Sequence, residues 1–328
     1  MTQDLIGVLG GGAWGTALAC LLADREPEVP LWAHEAETVE AINTRRENPV
    51  FLPDIPMPEN LHATADIAEL AACNTLLMVV PSQFARAAMT ELARHASGDL
   101  TLVLCSKGLE RDSLKFMSAV ASECLPEAAI AVLSGPSFAA DVARGLPTAV
   151  TLACADATRG EALCMRLGRT HFRPYLSPDI LGAELGGVVK NVLAIACGIV
   201  IGKGLGESAR AAVAARGFAE MQRLGAAIGA HPETLGGLCG LGDLLLTCTG
   251  AKSRNFSLGV SLGKGDDTHN SRPTVNEGAE SVAAIVALAA KHQVEMPICA
   301  VINDILRGDK SIDHAIDTLL ARPLSHET

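Results

Sequence analysis

The chain has 328 residues, enough for two domains at roughly 100–200 residues each. Its 26 Lys and Arg stand against 37 Asp and Glu, a formal net charge of −11, which excludes the basic footprint of a nucleic-acid binder. Hydrophobic residues make up 49% and aromatics only 3%, so a large core must be built from Ala, Leu, Val and Ile packed closely among 31 glycines.

The first half alternates short apolar runs with helical spacing. Strands are predicted at residues 5–9, 29–32, 75–80, 100–105, 130–133 and 149–153, with helices at 16–23, 82–96 and 113–124. Strand–helix alternation with nearly continuous apolar strands predicts an α/β domain whose doubly wound parallel sheet is covered on both faces. Pro49, Pro53, Pro56 and Pro58 exclude a helix at residues 48–60 and predict an ordered loop over the sheet. After about Pro178 the strand-like runs vanish and Ala/Leu/Gly-rich helical patterns continue to the end. In the last of these Ser311 suits an N-cap, and Ile312, Ala315, Ile316, Leu319 and Leu320 share a helical face. The expected division is therefore 1–180 as an α/β domain and 181–328 as an all-α domain.

The ten cysteines are never closer than nine positions, so no zinc-type spacing occurs. The opening MTQDLIGVLGGG has no basic region before an apolar stretch, and the apolar run 191–202 is short for a bilayer span. These features predict a soluble, cytoplasmic protein with free thiols, no bound metal and no membrane insertion.

Gly10-Gly11-Gly12-Ala13-Trp14-Gly15 is a G-x-G-x-x-G that follows an apolar strand and opens a helix, the context a dinucleotide-binding fingerprint requires. Gly10 permits the tight turn, Gly12 lets backbone approach a pyrophosphate, and Gly15 lets the helix pack on the strand; the alternative is an ordinary glycine-rich turn. In such Rossmann-type domains an acid about twenty residues on holds an NAD ribose, a place filled here by Glu35, whereas the preceding His34 suits a 2′-phosphate. The choice between NADH and NADPH stays open at this point.

Lys190 lies in the all-round apolar run 180–202, where only Glu184 is also charged. Its helical neighbours Gly186, Gly187, Ala194, Cys197 and Gly198 are small. They either leave room for a ligand beside an ammonium suited to proton transfer, or pack another helix while Lys190 reaches out to solvent. Asp243, in Gly240-Leu241-Gly242-Asp243 with Thr247 a turn later, is either a helix N-cap or the carboxylate that orients Lys190. Ser253-Arg254-Asn255 begins a helical pattern with donors suited to a phosphate, or forms a solvated cap. Lys107, like Gly135-Pro136-Ser137, follows the carboxyl end of a predicted strand, where ligands of open α/β sheets bind. Together the cations favour a small anionic substrate.

These motifs resemble, over essentially the whole chain, the bacterial-type NAD(P)-dependent glycerol-3-phosphate dehydrogenases. The matching stretches are GGGAWGTALA (10–19), LWAH (31–34), SKGLE (106–110), SGPSFA (134–139), LGGVVKN (185–191), GLGDLLLTCT (240–249), SRN (253–255), VNEG (275–278) and EMPI (295–298). The resemblance implies reversible reduction of dihydroxyacetone phosphate to sn-glycerol 3-phosphate, supplying the glycerophospholipid backbone, with NADPH the commoner cofactor and NADH possible. It implies Lys190 as proton donor, with Asp243 and Asn191 orienting it or the substrate. Substrate would be held by Lys107, Gly135, Ser137, Ser253, Arg254 and Asn255. The cofactor side would comprise Gly10, Gly12, Ala13, Trp14, Gly15, His34, Ala139, Val275 and Glu277, with Lys107 and Arg254 reaching both ligands. Asn276 and Ala279 depart from the family pattern beside Glu277. A homodimer joined through the second domain is expected. The rival readings are a hydroxyacid dehydrogenase related to 6-phosphogluconate dehydrogenase and a nicotinamide-binding redox sensor. The first is opposed by the Ser-Arg-Asn stretch and the Gly-Leu-Gly-Asp motif, the second by the presence of Lys190.

Overall fold

The computed structural model describes residues 4–96, 98–266 and 277–321. Eight strands form one sheet: β1 (Ile6–Leu9), β2 (Val29–Trp32), β3 (Leu61–Thr64), β4 (Thr75–Met78), β5 (Thr101–Leu104), β6 (Ala129–Ser134), β7 (Thr148–Cys154) and β8 (Phe172–Ser177). Their order is β3-β2-β1-β4-β5-β6-β7-β8, so the winding direction switches between β1 and β4. Every residue of the central strands β1, β4 and β5 is buried, which explains their unbroken apolar runs. Helices α1 (Ala13–Ala23), α2 (Ala36–Glu40), α3 (Ser82–Leu92), α4 (Met117–Cys124), α5 (Ala139–Ala143) and α6 (Ala157–Leu167) connect the strands.

The sheet is parallel except at one seam, where β7 runs antiparallel to β6, with Leu133 opposite Leu152. The connection there holds only the five-residue α5, too short at 1.5 Å per residue to carry the chain back down the sheet. The chain therefore re-enters from the same end, and β8 follows parallel to β7 through the eleven-residue α6. β3 and β8 lie outside the predicted strands. They are the two edges: β3 pairs only with β2, and β8, which contains Pro174, only with β7.

The proline-rich stretch forms an ordered loop. Arg46 turns it in the left-handed region at φ 55 and donates to the carbonyls of Leu61 at 2.7 Å and Glu59 at 3.2 Å.

From Ile180 the described chain is helical: α7 (Ile180–Gly202), α8 (Gly206–Ile228), α9 (Pro232–Leu235), α10 (Asp243–Cys248), α11 (Arg254–Lys264), α12 (Glu277–Lys291), α13 (Pro297–Arg307) and α14 (Ile312–Leu320). Helix α7 is the axis, buried continuously from Gly182 to Val200. Its 23 residues are long and apolar enough to cross a membrane, but 89% of its most apolar window is buried inside the fold. Ser311 caps α14 by accepting from His314 N at 3.3 Å; Ala315 faces inward, while Leu320 is 79% exposed and leaves the predicted stripe.

The small face of α7 is filled by backbone. A Cβ added to Gly198 would lie 2.1 Å from the Phe256 carbonyl oxygen, and one on Gly259 would lie 2.1 Å from the Ile195 oxygen. Glycine thus serves a close crossing of α7 with α11, and at Gly187 the approaching groups are side chains instead, an added Cβ lying 3.1 Å from the Ser134 hydroxyl and 3.3 Å from the Lys107 stem.

Glu184 ties α7 to the sheet domain by accepting from Ser118 N at 2.9 Å and Ser118 Oγ at 2.5 Å, at the start of α4. Burial pushes its carboxyl up to about 7 from an ordinary 4.5, against the Ser118 hydrogen bonds that favour the charged form. A raised folded value means stability that is full below 4.5 and lost as pH rises through about 7. Denaturant unfolding at about pH 5 and pH 8 is therefore expected to show a loss of up to roughly 3 kcal/mol across the interval, which Glu184→Gln removes.

Candidate active site

The glycine turn joins β1 to α1 where the sheet switches direction. Gly10 sits at φ +133, and a Cβ there would press on the Val79 carbonyl carbon at 2.8 Å. On Gly15 a Cβ would lie 1.8 Å from the Gly10 oxygen, so this place in the first turn of α1 takes only a glycine. Gly12, the N-cap of α1, is the opposite case: an added Cβ meets nothing within 4 Å. That open cradle at a helix N-terminus fits a pyrophosphate, with Ala13 and Trp14 half-buried beside it. His34 and Glu35 are both exposed past the end of β2. The His34 ring lies 6.1 Å from the Trp32 ring, and the Glu35 carbonyl starts α2 by accepting from Thr38 N. Ala139 opens α5 beyond β6.

A charged cluster closes the space between the two halves. Lys190 Nζ donates to Asp243 Oδ1 at 2.5 Å and to Thr247 Oγ1 at 3.1 Å. Lys107, reaching in from the end of β5, donates to Asp243 Oδ2 at 2.7 Å and lies 3.4 Å from the Gly135 oxygen. Lys190 is only 7% exposed and Asp243 1%, so the reading in which Lys190 reaches out to solvent fails. Asp243 is not an N-cap either. A π-helical turn, Leu238–Gly242, runs straight into α10 with Gly242 already helical, leaving the carboxylate free for the lysines. Such a widened turn needs glycine: a Cβ on Gly240 would lie 2.0 Å from the Leu235 oxygen.

One carboxylate between two ammonium groups splits their behaviour. For Asp243, burial favours the neutral acid, but Lys107 and Lys190 outweigh it and hold the carboxyl below its ordinary value. Burial also opposes the charge on Lys107, yet Asp243 and Glu277 raise it above the usual amine range. Lys190 goes the other way: burial, with Lys107 facing it, outweighs Asp243 and pushes the amine down to about 8. The more deeply enclosed lysine is thus the one able to exchange its proton near neutrality.

The remaining predicted residues surround this cluster. Gly135 turns at φ +148 and its carbonyl accepts from Ser137 Oγ at 3.1 Å. Asn191, one residue beyond Lys190, places Nδ2 3.4 Å from Glu277 Oε2. Burial raises the Glu277 carboxyl, opposed by Lys107, Arg254 and Lys190, so Glu277 belongs with the charged cluster despite its neighbours' departure from pattern. Ser253 caps α11 through Phe256 N at 3.2 Å and is buried, not solvated. Asn255 Oδ1 accepts from Gly278 N at 3.1 Å, while Arg254 is exposed at the helix start. Val275 and Asn276 lie outside the described residues, and Ala279 lies in the first turn of α12. Across the mouth, Lys252 reaches Asp141 Oδ1 at 3.1 Å over the Phe138 ring.

Two members were absent from the sequence-based set. Thr247 hydrogen-bonds Lys190, a role its i+4 spacing from Asp243 could have signalled. Ser134, whose buried hydroxyl has no hydrogen-bond partner, stands beside Gly187; it opens the matching stretch 134–139 but is given no role there. Burial raises the Cys239 thiol, and the Cys197 thiol together with burial raises that of Cys248, so both are held protonated inside the fold. The arrangement therefore offers an exposed cation at Arg254 to which an anion can bind and a buried amine at Lys190 that can exchange a proton near neutrality.

The chain matches two family models, "NAD-dependent glycerol-3-phosphate dehydrogenase N-terminus" over residues 5–159 and "NAD-dependent glycerol-3-phosphate dehydrogenase C-terminus" over residues 179–317. It is 55% identical to the glycerol-3-phosphate dehydrogenase [NAD(P)+] of Maricaulis maris over 98% of both chains. To that of Caulobacter vibrioides it is 53% identical over 100% of both. Among solved structures it is similar to glycerol-3-phosphate dehydrogenase from Coxiella burnetii, with a TM-score of 0.94, 39% identity, and coverage of 98% of this chain and 100% of that one.

Proposed function

Because the chain belongs to the NAD-dependent glycerol-3-phosphate dehydrogenase family, we propose that its charged cluster carries out the proton chemistry of that reaction, with Lys190 as the acid. The protein is an NAD(P)-dependent oxidoreductase that interconverts dihydroxyacetone phosphate and glycerol 3-phosphate. The observation that carries the proposal is the contact of Lys190 Nζ with Asp243 Oδ1 at 2.5 Å, buried beside Lys107.

Gly10, Gly12 and Gly15 shape the cradle for the dinucleotide, with Ala13, Trp14, His34, Ala139 and Glu277 lining it. A nicotinamide cofactor held there would supply the hydride for the substrate's carbonyl carbon. Arg254, at the start of α11 with Ser253 and Asn255, binds the substrate phosphate, and this remote contact fixes the carbonyl in place. Lys107, Gly135 and Ser137 close the other side. Lys190 donates its proton to the carbonyl oxygen as negative charge develops, Asp243 and Thr247 hold it in line, and Asn191 orients the substrate oxygens from beside Glu277. In oxidation the neutral amine takes the proton back.

The test is nicotinamide absorbance decay with dihydroxyacetone phosphate, NADPH and NADH run in parallel. Turnover with NADPH preferred is the expected result; binding of either cofactor without turnover would defeat the assignment. The same assay reads the pH dependence. Reduction needs the protonated amine, so its kcat is expected to fall as pH rises through about 8, while oxidation of glycerol 3-phosphate rises over the same interval. We further assign the product to the glycerophospholipid backbone, and the protein to the cytoplasm as a homodimer joined through its helical half, which fractionation and sedimentation velocity check.

A further inference from the structure

Asn48 is fully buried although it belongs to the proline-rich loop. Its Nδ2 donates to the Gly11 carbonyl oxygen at 3.0 Å and to Thr16 Oγ1 at 2.9 Å. Thr16 Oγ1 donates to the same carbonyl at 3.1 Å, and Asn48 Oδ1 accepts from Phe51 N at 3.3 Å. Two side-chain donors, one from the loop and one from α1, thus converge on a single peptide in the middle of the glycine turn.

Either side of that peptide the backbone is held by regular structure. Gly10 N donates to the Trp32 oxygen at 3.0 Å on the sheet side, and the Gly12 oxygen accepts from Thr16 N at 2.9 Å on the helix side. The Gly11–Gly12 peptide between them is flanked by two glycines, whose φ is free to take either sign. A planar trans peptide points its C=O and N–H in opposite directions. Holding the Gly11 carbonyl inward therefore turns the Gly12 N–H outward, toward the space where an added Cβ meets nothing within 4 Å.

We propose that Asn48 is a positioning residue for the dinucleotide pyrophosphate, acting by fixing the Gly11–Gly12 peptide with its N–H toward the ligand. The proposal rests on the cofactor reading above. It gives the loop a role that no base or phosphate contact of its own requires. A flipped peptide would present a carbonyl oxygen to an anion, so the effect falls on pyrophosphate binding and spares the proton chemistry at Lys190.

The test compares full-length wild type with Asn48→Leu, similar in volume but unable to donate, and Asn48→Asp, which sets an oxygen against the Gly11 carbonyl. Affinities are measured for NADPH, for ADP-ribose, and for 2′-AMP, which carries adenine, ribose and 2′-phosphate without a pyrophosphate. Affinity for NADPH and ADP-ribose is expected to fall about tenfold or more, worst in Asn48→Asp, with 2′-AMP, kcat at saturating NADPH and KM for dihydroxyacetone phosphate within about twofold. If Asn48→Leu fails to fold, Thr16→Val, which removes the second donor to the same carbonyl, must show the same ordering. Unchanged ADP-ribose affinity in a folded variant, or equal losses for ADP-ribose and 2′-AMP, would overturn the proposal. Wild-type protein that binds no ADP-ribose would instead strike the cofactor reading, and the proposal with it.

Discussion

Lys190→Ala is expected to lower kcat for dihydroxyacetone phosphate reduction by about 10²–10⁴-fold, the usual contribution of a positioned acid, with the KM for NADPH little changed. The variant should fold. Truncation leaves Asp243 still bound to Lys107 at 2.7 Å, so no buried carboxylate is stranded. It also removes an amine whose protonation at neutral pH is held against burial and against Lys107, a cost that offsets the lost contact. Lys190→Arg separates acid from counter-charge: it keeps the positive charge but has no proton to give near pH 8, so it does not restore kcat. Steady-state kinetics of both variants beside thermal melts checks this. A folded Lys190→Ala within tenfold of wild-type kcat would remove Lys190 from the acid's role.

What the sequence announces and what it hides follow from how local each signal is. The glycine turn is local: strand, turn and helix occupy consecutive residues, and the demands on Gly10 and Gly15 are met within that stretch or by the neighbouring β4 edge. The central strands are plain because a strand buried on both faces has no polar position to break its run. The edges are not plain. Residues 61–64 alternate, with His62 exposed, and Pro174 argues against a strand that only an edge tolerates.

The same contrast runs through the site. Lys190 stands out because an isolated charge in an apolar helix needs a partner, and its neighbour in sequence, Asn191, comes with it. The partner is less visible: Asp243 is 53 residues away, and its bond to Lys107 spans 136 residues, a pairing set by the packing of the two halves. The small residues around Lys190 were ambiguous for a physical reason. Glycine permits close approach of any group, and at Gly198 the group is the backbone of α11, while at Gly187 it is the Lys107 stem. Asn48 shows the limit most sharply, since a loop asparagine gives no sign in sequence that it is fully buried beneath a turn 37 residues earlier.

Asp243→Ala is expected to be the most damaging single change to stability and activity together. The carboxylate accepts from two lysines and is 1% exposed, so its removal leaves two largely buried ammonium groups facing each other. Removing one partner of a buried ion pair costs about 3–5 kcal/mol. Asp243→Asn keeps the shape and isolates the charge. Without it Lys107 loses the contact that raised its amine, and Lys190 loses the carboxylate contact that opposed its descent from the ordinary value to about 8. The stability deficit of Asp243→Asn is therefore largest at and below neutral pH, where both amines must stay charged, and shrinks as rising pH lets one of them shed its proton. Wild type shows the complementary behaviour: the folded Asp243 carboxyl lies below 3.8, so its contribution is present above that pH and lost as pH falls through the folded value. In kinetics the fall in reduction rate moves to lower pH than in wild type, and at pH 7.5 kcat drops on the order of 10²-fold or more because Lys190 is both less protonated and less well aimed. Unfolding curves and kcat profiles from about pH 6 to 9 measure both effects. A deficit independent of pH would mean that Asp243 acts by packing rather than by charge, and an unshifted kcat profile would mean that Lys190 does not depend on it.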